Sequence, residues 1–312
     1  MPGLFEDTRM DLFPFALAAF LLAHGGTPSR QTRDLSRVEI KATRVAGPVH
    51  MLEGSGGNIG VSVGPDGILI VDDQFAPLAE KIRAALKAIG EGKLKFVLNT
   101  HWHADHTGGN LEFGREAPIL AHTNVRKRLA AGRESGPRPT PPAPKEALPI
   151  VTFDDSLSIH FNGEEIRMIH LPRGHTDGDS VIHFTGSNVV HMGDDFFAGG
   201  FPFVDLASGG DVEGLAKNVE EVIRKVSADA KVISGHAPVS TVEDLKAYHG
   251  MLVETTEAVR RRMAEGKTLD QIRAEGLPEK WASWGTGFIS SDRWIETVHE
   301  SLSKNASPRP AR

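Results

Sequence analysis

The chain has 312 residues, of which 39% are hydrophobic and 24% are charged, and this composition suits a large folded domain and argues against disorder over the whole length. A net charge of −6 argues against a nucleic-acid binder and against a protein held to a membrane by a basic patch. The sequence has no cysteine, which excludes disulfides, thiolate nucleophiles and thiolate metal ligands.

The N-terminal region contains the apolar run "LFPFALAAFLLA" at residues 12–23. A run of this length fits the core of a signal peptide and is too short to span a bilayer, so no stable membrane insertion is expected. The small-x-small pattern "AHG" follows, although the acidic residues upstream depart from the positive flank that signals prefer. We expect a signal peptide at 1–25, a flexible segment at 26–37, and a periplasmic or secreted protein, or a cytoplasmic one if the N-terminus is not cleaved.

From residue 38 the chain alternates between strand and helix patterns. Apolar and polar residues alternate first, and the turn signal "PDG" precedes the short apolar run "GILIVDD". A helix is expected to have Pro77 in its first turn and to end at Gly90, because the apolar residues between them share one face. "KFVLNT" then predicts a buried strand of a parallel sheet, and "PILAH" with "TNVRKRLAAG" predicts another strand and helix.

Residues 133–149 contain six prolines and predict an exposed loop, either a linker or a flap beside a site. Strand patterns then return, Asp211 is expected to cap an amphipathic helix, and Thr241 is expected to begin a longer helix that runs to about Met263.

The strand-rich segments fall into two similar series, at 38–132 and 150–235. This repetition predicts two mixed sheets packed face to face with helices outside them, an α/β sandwich within one domain over residues 38–312. No repeat at a solenoid period is visible in the sequence.

The stretch "THWHADHTGG" follows the predicted strand "KFVLNT" at its carboxyl end, where α/β proteins usually place their sites. His101 and His103 are two residues apart and project to one side of an extended loop, whereas Asp105 and His106 follow a bend and can face a second point. Thr107 can cap a following helix. Imidazole and carboxylate groups without thiolate form a zinc-type ligand set, with iron or manganese as alternatives, so we predict a metal site.

Three further candidates each follow a predicted strand in a glycine-containing turn: His175 in "PRGHTDGDS", Asp194 in "HMGDD", and His236 in "ISGHAP". A single residue of this kind is more often structural than a ligand. Their recurrence at strand ends after the histidine-rich loop predicts that they complete the same site. Asp195, the next residue, is the alternative candidate for the position assigned to Asp194 in this site.

In this set of motifs the chain resembles the metallo-β-lactamase superfamily over about residues 38–236. The resemblance implies an αββα fold with two zinc ions per chain, each held by three side chains: His101, His103 and His175 at one, and Asp105, His106 and His236 at the other. It implies that Asp194, rather than Asp195, bridges the two ions. It also implies that Asp72 orients the histidine-rich loop at residues 101–106, the metal loop, through hydrogen bonds.

The resemblance further implies a zinc-dependent hydrolase of small molecules, in which metal-bound hydroxide attacks the carbonyl of a β-lactam-like amide or an ester. Asp105 would anchor one metal and orient the nucleophile. A glyoxalase II-type thioesterase and a lactonase are the alternatives. The lactonase loses weight because Tyr248 lies in a helix beyond the motifs, and the thioesterase loses weight because the arginines at 260–262 are typical of a solvated helix face. A mononuclear-iron persulfide dioxygenase is the alternative of another class. The oligomeric state is left open.

The segment "FFAGGFPFVDLASGG" after Asp194 predicts an apolar substrate pocket lined by Phe201 and Phe203, unless both are ordinary core residues. "GSGGNIG" at 54–60 lacks the spacing of a dinucleotide-binding loop and predicts a strand turn. His122 either caps a helix or contacts the pocket.

Overall fold

The computed structural model describes residues 34–133 and 139–306, and those from Leu35 onward belong to one unit. The expected signal peptide and most of the expected flexible segment lie outside the described residues and stay predictions. Among the described helices, none is both long and apolar enough to cross a membrane.

Two β-sheets form the centre of the fold. The first sheet has seven strands in chain order: β1 (Lys41–Ala46), β2 (Val49–Glu53), β3 (Ile59–Gly64), β4 (Gly67–Val71), β5 (Leu94–Leu98), β6 (Ile119–His122) and β7 (Val151–Phe153). The second sheet has six strands, in the spatial order β13-β12-β11-β10-β9-β8: β8 (Ser156–Phe161), β9 (Glu164–His170), β10 (Ser180–Phe184), β11 (Val189–His191), β12 (Lys231–Ile233) and β13 (Ser240–Thr241).

Both sheets are mixed. In the first sheet β1 to β4 pair antiparallel and β4 to β7 pair parallel, and in the second sheet only the β11–β12 pair is parallel.

The two sheets pack face to face and are covered by helices on their outer faces. Strand β4 shows why, because all of its residues are buried. Its Leu69 and Val71 pack with residues of the second sheet, whereas Ile68 and Ile70 point to the opposite face and pack with Ile82 of the first helix. These layers confirm the predicted α/β sandwich.

Eight α-helices accompany the sheets in the described residues: α1 (Ala79–Ile89), α2 (Ala104–Thr107), α3 (Asn110–Phe113), α4 (Thr123–Ala131), α5 (Val212–Lys225), α6 (Val242–Ala264), α7 (Leu269–Glu275) and α8 (Ser291–Ala306). The predicted cap is confirmed, because Asp211 accepts a hydrogen bond from Gly214 N. Thr241, which was expected to begin the longer helix, precedes its first residue and forms a reciprocal capping box with Asp244. Helix α1 ends before Gly90, as predicted.

Two local predictions are wrong. The segment at 151–153 belongs to the first sheet rather than the second, because it extends the parallel ladder from β6, where Leu120 pairs with Val151. Thr107 does not cap a following helix. It is the last residue of α2, and its hydroxyl donates to the carbonyls of Trp102 and His103.

Candidate metal centre

The candidate ligands and the orienting residue Asp72 come from loops that follow five strands. Strands β4 and β5 of the first sheet lead to Asp72 and to the histidine-rich loop, and strands β9, β11 and β12 of the second sheet lead to His175, Asp194 and His236. The structure brings the seven predicted ligands together in two groups: His101, His103, His175 and Asp194 in one, and Asp105, His106 and His236 in the other. Within each group the ligand atoms all lie within 4.8 Å of one another.

In the first group three imidazole nitrogens face one another. His103 Nδ1 lies 3.2 Å from His101 Nε2 and 2.8 Å from His175 Nε2. The ring centroids are 4.7 to 4.8 Å apart and the ring planes are close to perpendicular. This arrangement directs three nitrogen atoms to a common point, as ligands of a single ion would be.

The opposite nitrogens of these imidazoles show where their protons are. Each lies next to an oxygen: His101 Nδ1 is 3.0 Å from Thr100 Oγ1, His175 Nδ1 is 2.7 Å from the Phe203 carbonyl, and His103 Nε2 is 3.0 Å from Asp205 Oδ2. A carbonyl and a carboxylate can only accept, so the nitrogens of His175 and His103 that face them carry protons. Thr100 Oγ1 donates to Asp72 Oδ2 and therefore accepts from His101 Nδ1. The three converging nitrogens thus present lone pairs.

The second group lies at the rim of the site. His106 Nε2 is 3.3 Å from His236 Nε2, and Asp105 Oδ2 is 3.5 Å from His236 Nε2 and 4.0 Å from His106 Nε2. His106 is fully buried, whereas the side chains of Asp105 and His236 are 34% and 30% exposed. The second group is therefore the side from which a substrate can approach.

Asp194 lies between the two groups. Its Oδ2 is 3.9 Å from His101 Nε2 and 3.6 Å from His175 Nε2, and its Oδ1 is 3.1 Å from His106 Nε2 and 3.3 Å from His236 Nε2. One carboxylate oxygen thus faces each group, which is the geometry that a bridging ligand needs.

The neighbouring Asp195 has a different role. Its Oδ1 accepts a hydrogen bond from the backbone N–H of His175, 3.2 Å away. This contact engages the carboxylate with the His175 loop, so the structure favours Asp194 over its rival.

Asp72 fastens the metal loop to the end of β4. It is fully buried, and its backbone has a φ of 65°, in the left-handed region. Its Oδ1 accepts from Thr100 N at 2.8 Å, and its Oδ2 accepts from Thr100 Oγ1 and from His106 Nδ1, both at 2.7 Å. The bond to His106 Nδ1 leaves the Nε2 atom of that ring directed at the other ligands of the second group.

The electrostatics of the cluster differ between its two ligand groups. Burial alone would raise the pKa of Asp194, but the neighbouring His106 and His236 hold it well below its usual range. Burial lowers the pKa of His106, but Asp194, Asp72 and Asp105 raise it well above the usual value. Burial lowers the pKa of His175 to about 4, so this imidazole is a neutral donor at pH 7.

The donor set fits metal ions. Lone pairs on nitrogens 2.8 Å apart repel unless a cation lies between them, and Asp194 Oδ1 accepts no well-formed hydrogen bond from the described residues. Six nitrogen and oxygen donors in two sets of three, joined by one carboxylate, match the ligand types that zinc binds.

Two aromatic residues border the centre, and only one of them belongs to the predicted pair. The Phe203 ring lies 5.9 Å from His103 and 5.8 Å from His175. Phe201 does not line the site, because it is 3% exposed and stacks on Trp294 in the core. The predicted pocket role of Phe201 is therefore replaced by core packing.

Three further contributors to the site were not predicted from the sequence. Phe197 stacks on His236 with a centroid distance of 5.8 Å, and Asp205 contacts His103. A side chain at Gly235 would collide with Asp194 Oδ1. The phenylalanine-rich segment indicated the first, but no local pattern distinguishes Asp205 from other aspartates.

The glycine-rich stretch at 54–60 forms the predicted turn between β2 and β3, and it packs on the metal loop. Gly57 N donates to Asp105 O at 2.9 Å, and a side chain at Gly57 would collide with the His106 ring. His122 caps α4 by accepting a hydrogen bond from Asn124 N, which is one of the two roles predicted for it.

The basic and tyrosine candidates on α6 are engaged elsewhere. Tyr248 is fully buried against Phe196 and Trp284. Arg260 forms ion pairs with Glu213 and Glu257, and Arg262 pairs with Glu275. Tyr248, Arg260 and Arg262 thus have their contacts within the helical layer.

The chain is similar in sequence to known proteins. A family model described as the metallo-β-lactamase superfamily matches residues 54–269. The hydroxyacylglutathione hydrolase of Gloeobacter violaceus is 28% identical over 220 residues, covering 67% of this chain and 76% of that protein. The hydroxyacylglutathione hydrolase of Methylococcus capsulatus is 31% identical over 212 residues, covering 64% of this chain and 72% of that protein.

Among solved structures, the sec-alkylsulfatase Pisa1 from Pseudomonas sp. has a similar fold, with a TM-score of 0.65 and 15% identity. The match covers 87% of this chain and 52% of that protein, so the chain spans about half the length of the sulfatase.

Proposed function

Because this chain belongs to the metallo-β-lactamase superfamily and is a metallo-hydrolase, we propose that its two ligand groups hold two zinc ions and that it hydrolyses an acyl thioester. The observation that carries the proposal is the position of Asp194, with one carboxylate oxygen toward each group. The thioester is favoured over a β-lactam-like amide because two relatives, which align over 76% and 72% of their own length, are named hydroxyacylglutathione hydrolases.

The metal ions and the protein side chains would contribute different parts of the reaction. When bound, the two ions would lower the pKa of a water molecule and polarise the substrate carbonyl. Asp105, at the exposed rim, holds its Oδ2 where it can orient a reacting group, and Asp72 keeps His106 in place through the bond to Nδ1. Buried His101 and His175 exclude bulk water from the opposite side.

The borders of the site indicate the substrate type. Phe197 lies over His236 and Phe203 lies beside His103, so one phenyl ring flanks each ligand group. Arg260 and Arg262 are held in ion pairs, and we propose that they do not bind glutathione carboxylates. We therefore propose that the apolar acyl part of the thioester, rather than a charged thiol part, supplies the binding contacts.

The experiment is a substrate panel with metal analysis. Protein loaded with zinc is assayed with acyl thioesters of increasing chain length, a hydroxyacylglutathione, a lactone, a chromogenic cephalosporin and a phosphodiester. We expect two zinc ions per chain, with thioesters preferred and a lower KM for longer acyl chains. His160→Ala, at an exposed histidine of β8, serves as the control for the ligand variant His175→Ala.

Two results would overturn the proposal. Absence of thioester hydrolysis by zinc-loaded protein would refute the substrate class. One iron per chain with oxygen consumption on a persulfide would establish the oxidoreductase alternative instead.

We also propose that the chain is exported, on the basis of the apolar run at 12–23. Expression of the full chain followed by N-terminal sequencing of the periplasmic fraction tests this. A new N-terminus near residue 26 supports export, and an intact chain found only in the cytoplasm contradicts it.

A further inference from the structure

We propose that Asp205 is a positioning residue that holds His103 in the tautomer required for metal binding. The inference rests on the proposed function, because the tautomer of His103 matters only if its Nδ1 binds an ion. Asp205 lies outside every motif that identified the ligands and is separated from His103 by 102 positions in the chain.

The carboxylate of Asp205 is fixed on several sides. It is 4% exposed, and its Oδ2 lies 3.0 Å from His103 Nε2. Ser208 donates from Oγ to Oδ2 at 2.7 Å and from N to Oδ1 at 3.1 Å. Because both oxygens are held by Ser208, the carboxylate keeps one oxygen directed at the imidazole.

The buried negative charge of Asp205 is compensated by Arg133. Its Nη1 lies 3.4 Å from Asp205 Oδ2, and its guanidinium group lies 5.0 Å from the centre of the Trp102 ring. The backbone of Arg133 exchanges hydrogen bonds with Thr140 at 2.7 and 2.8 Å. The cation is therefore held in place beside the carboxylate, which favours its ionised form.

The same segment orients a second ligand. Asp205 N donates to the His175 carbonyl at 2.9 Å, and the Phe203 carbonyl accepts from His175 Nδ1 at 2.7 Å. Residues 203–205 therefore determine the proton positions of His103 and His175 together. This segment places two lone pairs of the first ligand group opposite each other.

The chemistry explains why an acceptor is needed at this position. An ionised carboxylate can only accept, so the His103 proton must be on Nε2 and the lone pair on Nδ1. Without that acceptor the proton is free to move to Nδ1, where it would bond to His175 Nε2 and block metal binding. Removing a hydrogen-bond partner of this kind from a metal-binding histidine typically lowers the metal affinity by about 10- to 100-fold.

The experiment compares Asp205→Ala with Asp211→Ala. Asp211 is the matched control because, like Asp205, it is a buried aspartate whose side chain accepts from a backbone N–H three residues later. That donor is Gly214 N, and the Asp211 carboxylate does not face an imidazole as Asp205 does. Zinc titration by calorimetry gives the dissociation constants. Long-range ¹H–¹⁵N spectra of histidine-labelled, metal-free protein report the tautomer, with His103→Gln identifying the resonances.

We expect Asp205→Ala to weaken one of the two zinc sites by about 10- to 100-fold and to shift His103 from the Nε2–H form toward a mixture. Asp211→Ala should leave both readouts unchanged. If Asp205→Ala does not fold by circular dichroism, Asp205→Asn replaces it. An amide can accept from His103 only by turning its NH₂ toward the N–H of Ser208, so the same two changes are expected in weaker form.

The outcomes separate the two proposals. Wild-type protein that binds no zinc refutes the proposed function. Wild-type protein that binds two zinc ions, together with an Asp205 variant of unchanged affinity and unchanged His103 tautomer, refutes the positioning role alone.

Discussion

The stacked pair His122 and His170 makes stability depend on pH in a way that can be isolated by one substitution. The two rings are parallel, with centroids 3.6 Å apart, and they join the end of β6 in the first sheet to the end of β9 in the second. Burial and the nearby charge of His170 lower the pKa of His122 to about 4, and burial also lowers the pKa of His170. The folded protein thus resists protonation of this pair.

The direction of this pH dependence follows from the protonation of His122 in the folded and in the unfolded chain. An unfolded histidine has a pKa of about 6.5, so below that pH the unfolded chain binds a proton that folded His122 excludes. The free energy of unfolding therefore falls as the pH falls from about 6.5 to about 4, and levels off below. Each tenfold difference in proton affinity corresponds to about 1.4 kcal/mol, so the loss attributable to His122 is at most about 3.5 kcal/mol.

The assay is urea unfolding of wild-type protein and His122→Asn between pH 7.5 and 4. Asparagine can still cap α4, and the titrating groups away from this pair are common to both proteins, so the difference between the two curves reports His122 together with its coupling to His170. We expect wild type to lose about 1–3 kcal/mol more than the variant over this range. Parallel curves for the two proteins would refute the reasoning.

Three further substitutions test the site. Gly235→Ala places a methyl group against the Asp194 carboxylate and should weaken zinc binding in calorimetry. Gly250→Ala is the control, because no atom lies within 4 Å of the added methyl group, and equal zinc affinities of the two variants would contradict the prediction. Phe203→Ala should raise KM for long-chain thioesters with little change in unfolding, and Phe201→Ala should cost about 3–5 kcal/mol in urea unfolding; reversed effects would refute both placements. Asp72→Ala should lower zinc affinity by about 10- to 100-fold, and unchanged binding would contradict its orienting role.

The sequence predicted the parts of the molecule that depend on neighbouring residues. The metal loop, the caps at Asp211 and Thr241, and the turn at 54–60 are local patterns, and each lies where it was expected. The fold followed from the two strand-rich series. The ligand groups followed from the resemblance, since spacing alone did not pair His175 with His103.

The missed features depend on contacts between distant segments. Asp205 reaches His103, and Phe197 reaches His236, only because the chain after β11 folds back over the metal loop. Phe201 and Phe203 differ in burial although they are two residues apart, because one faces Trp294 and the other faces the imidazoles. Alternation along an irregular segment could not tell which phenylalanine would face the site.

The central claim is that two ions lie on either side of Asp194. The most direct measurement is anomalous X-ray scattering at the zinc edge from crystals of zinc-loaded protein. We expect two peaks, one among His101, His103 and His175 and one among Asp105, His106 and His236, each next to one oxygen of Asp194. A single peak, or peaks that the Asp194 carboxylate does not contact, would contradict the claim.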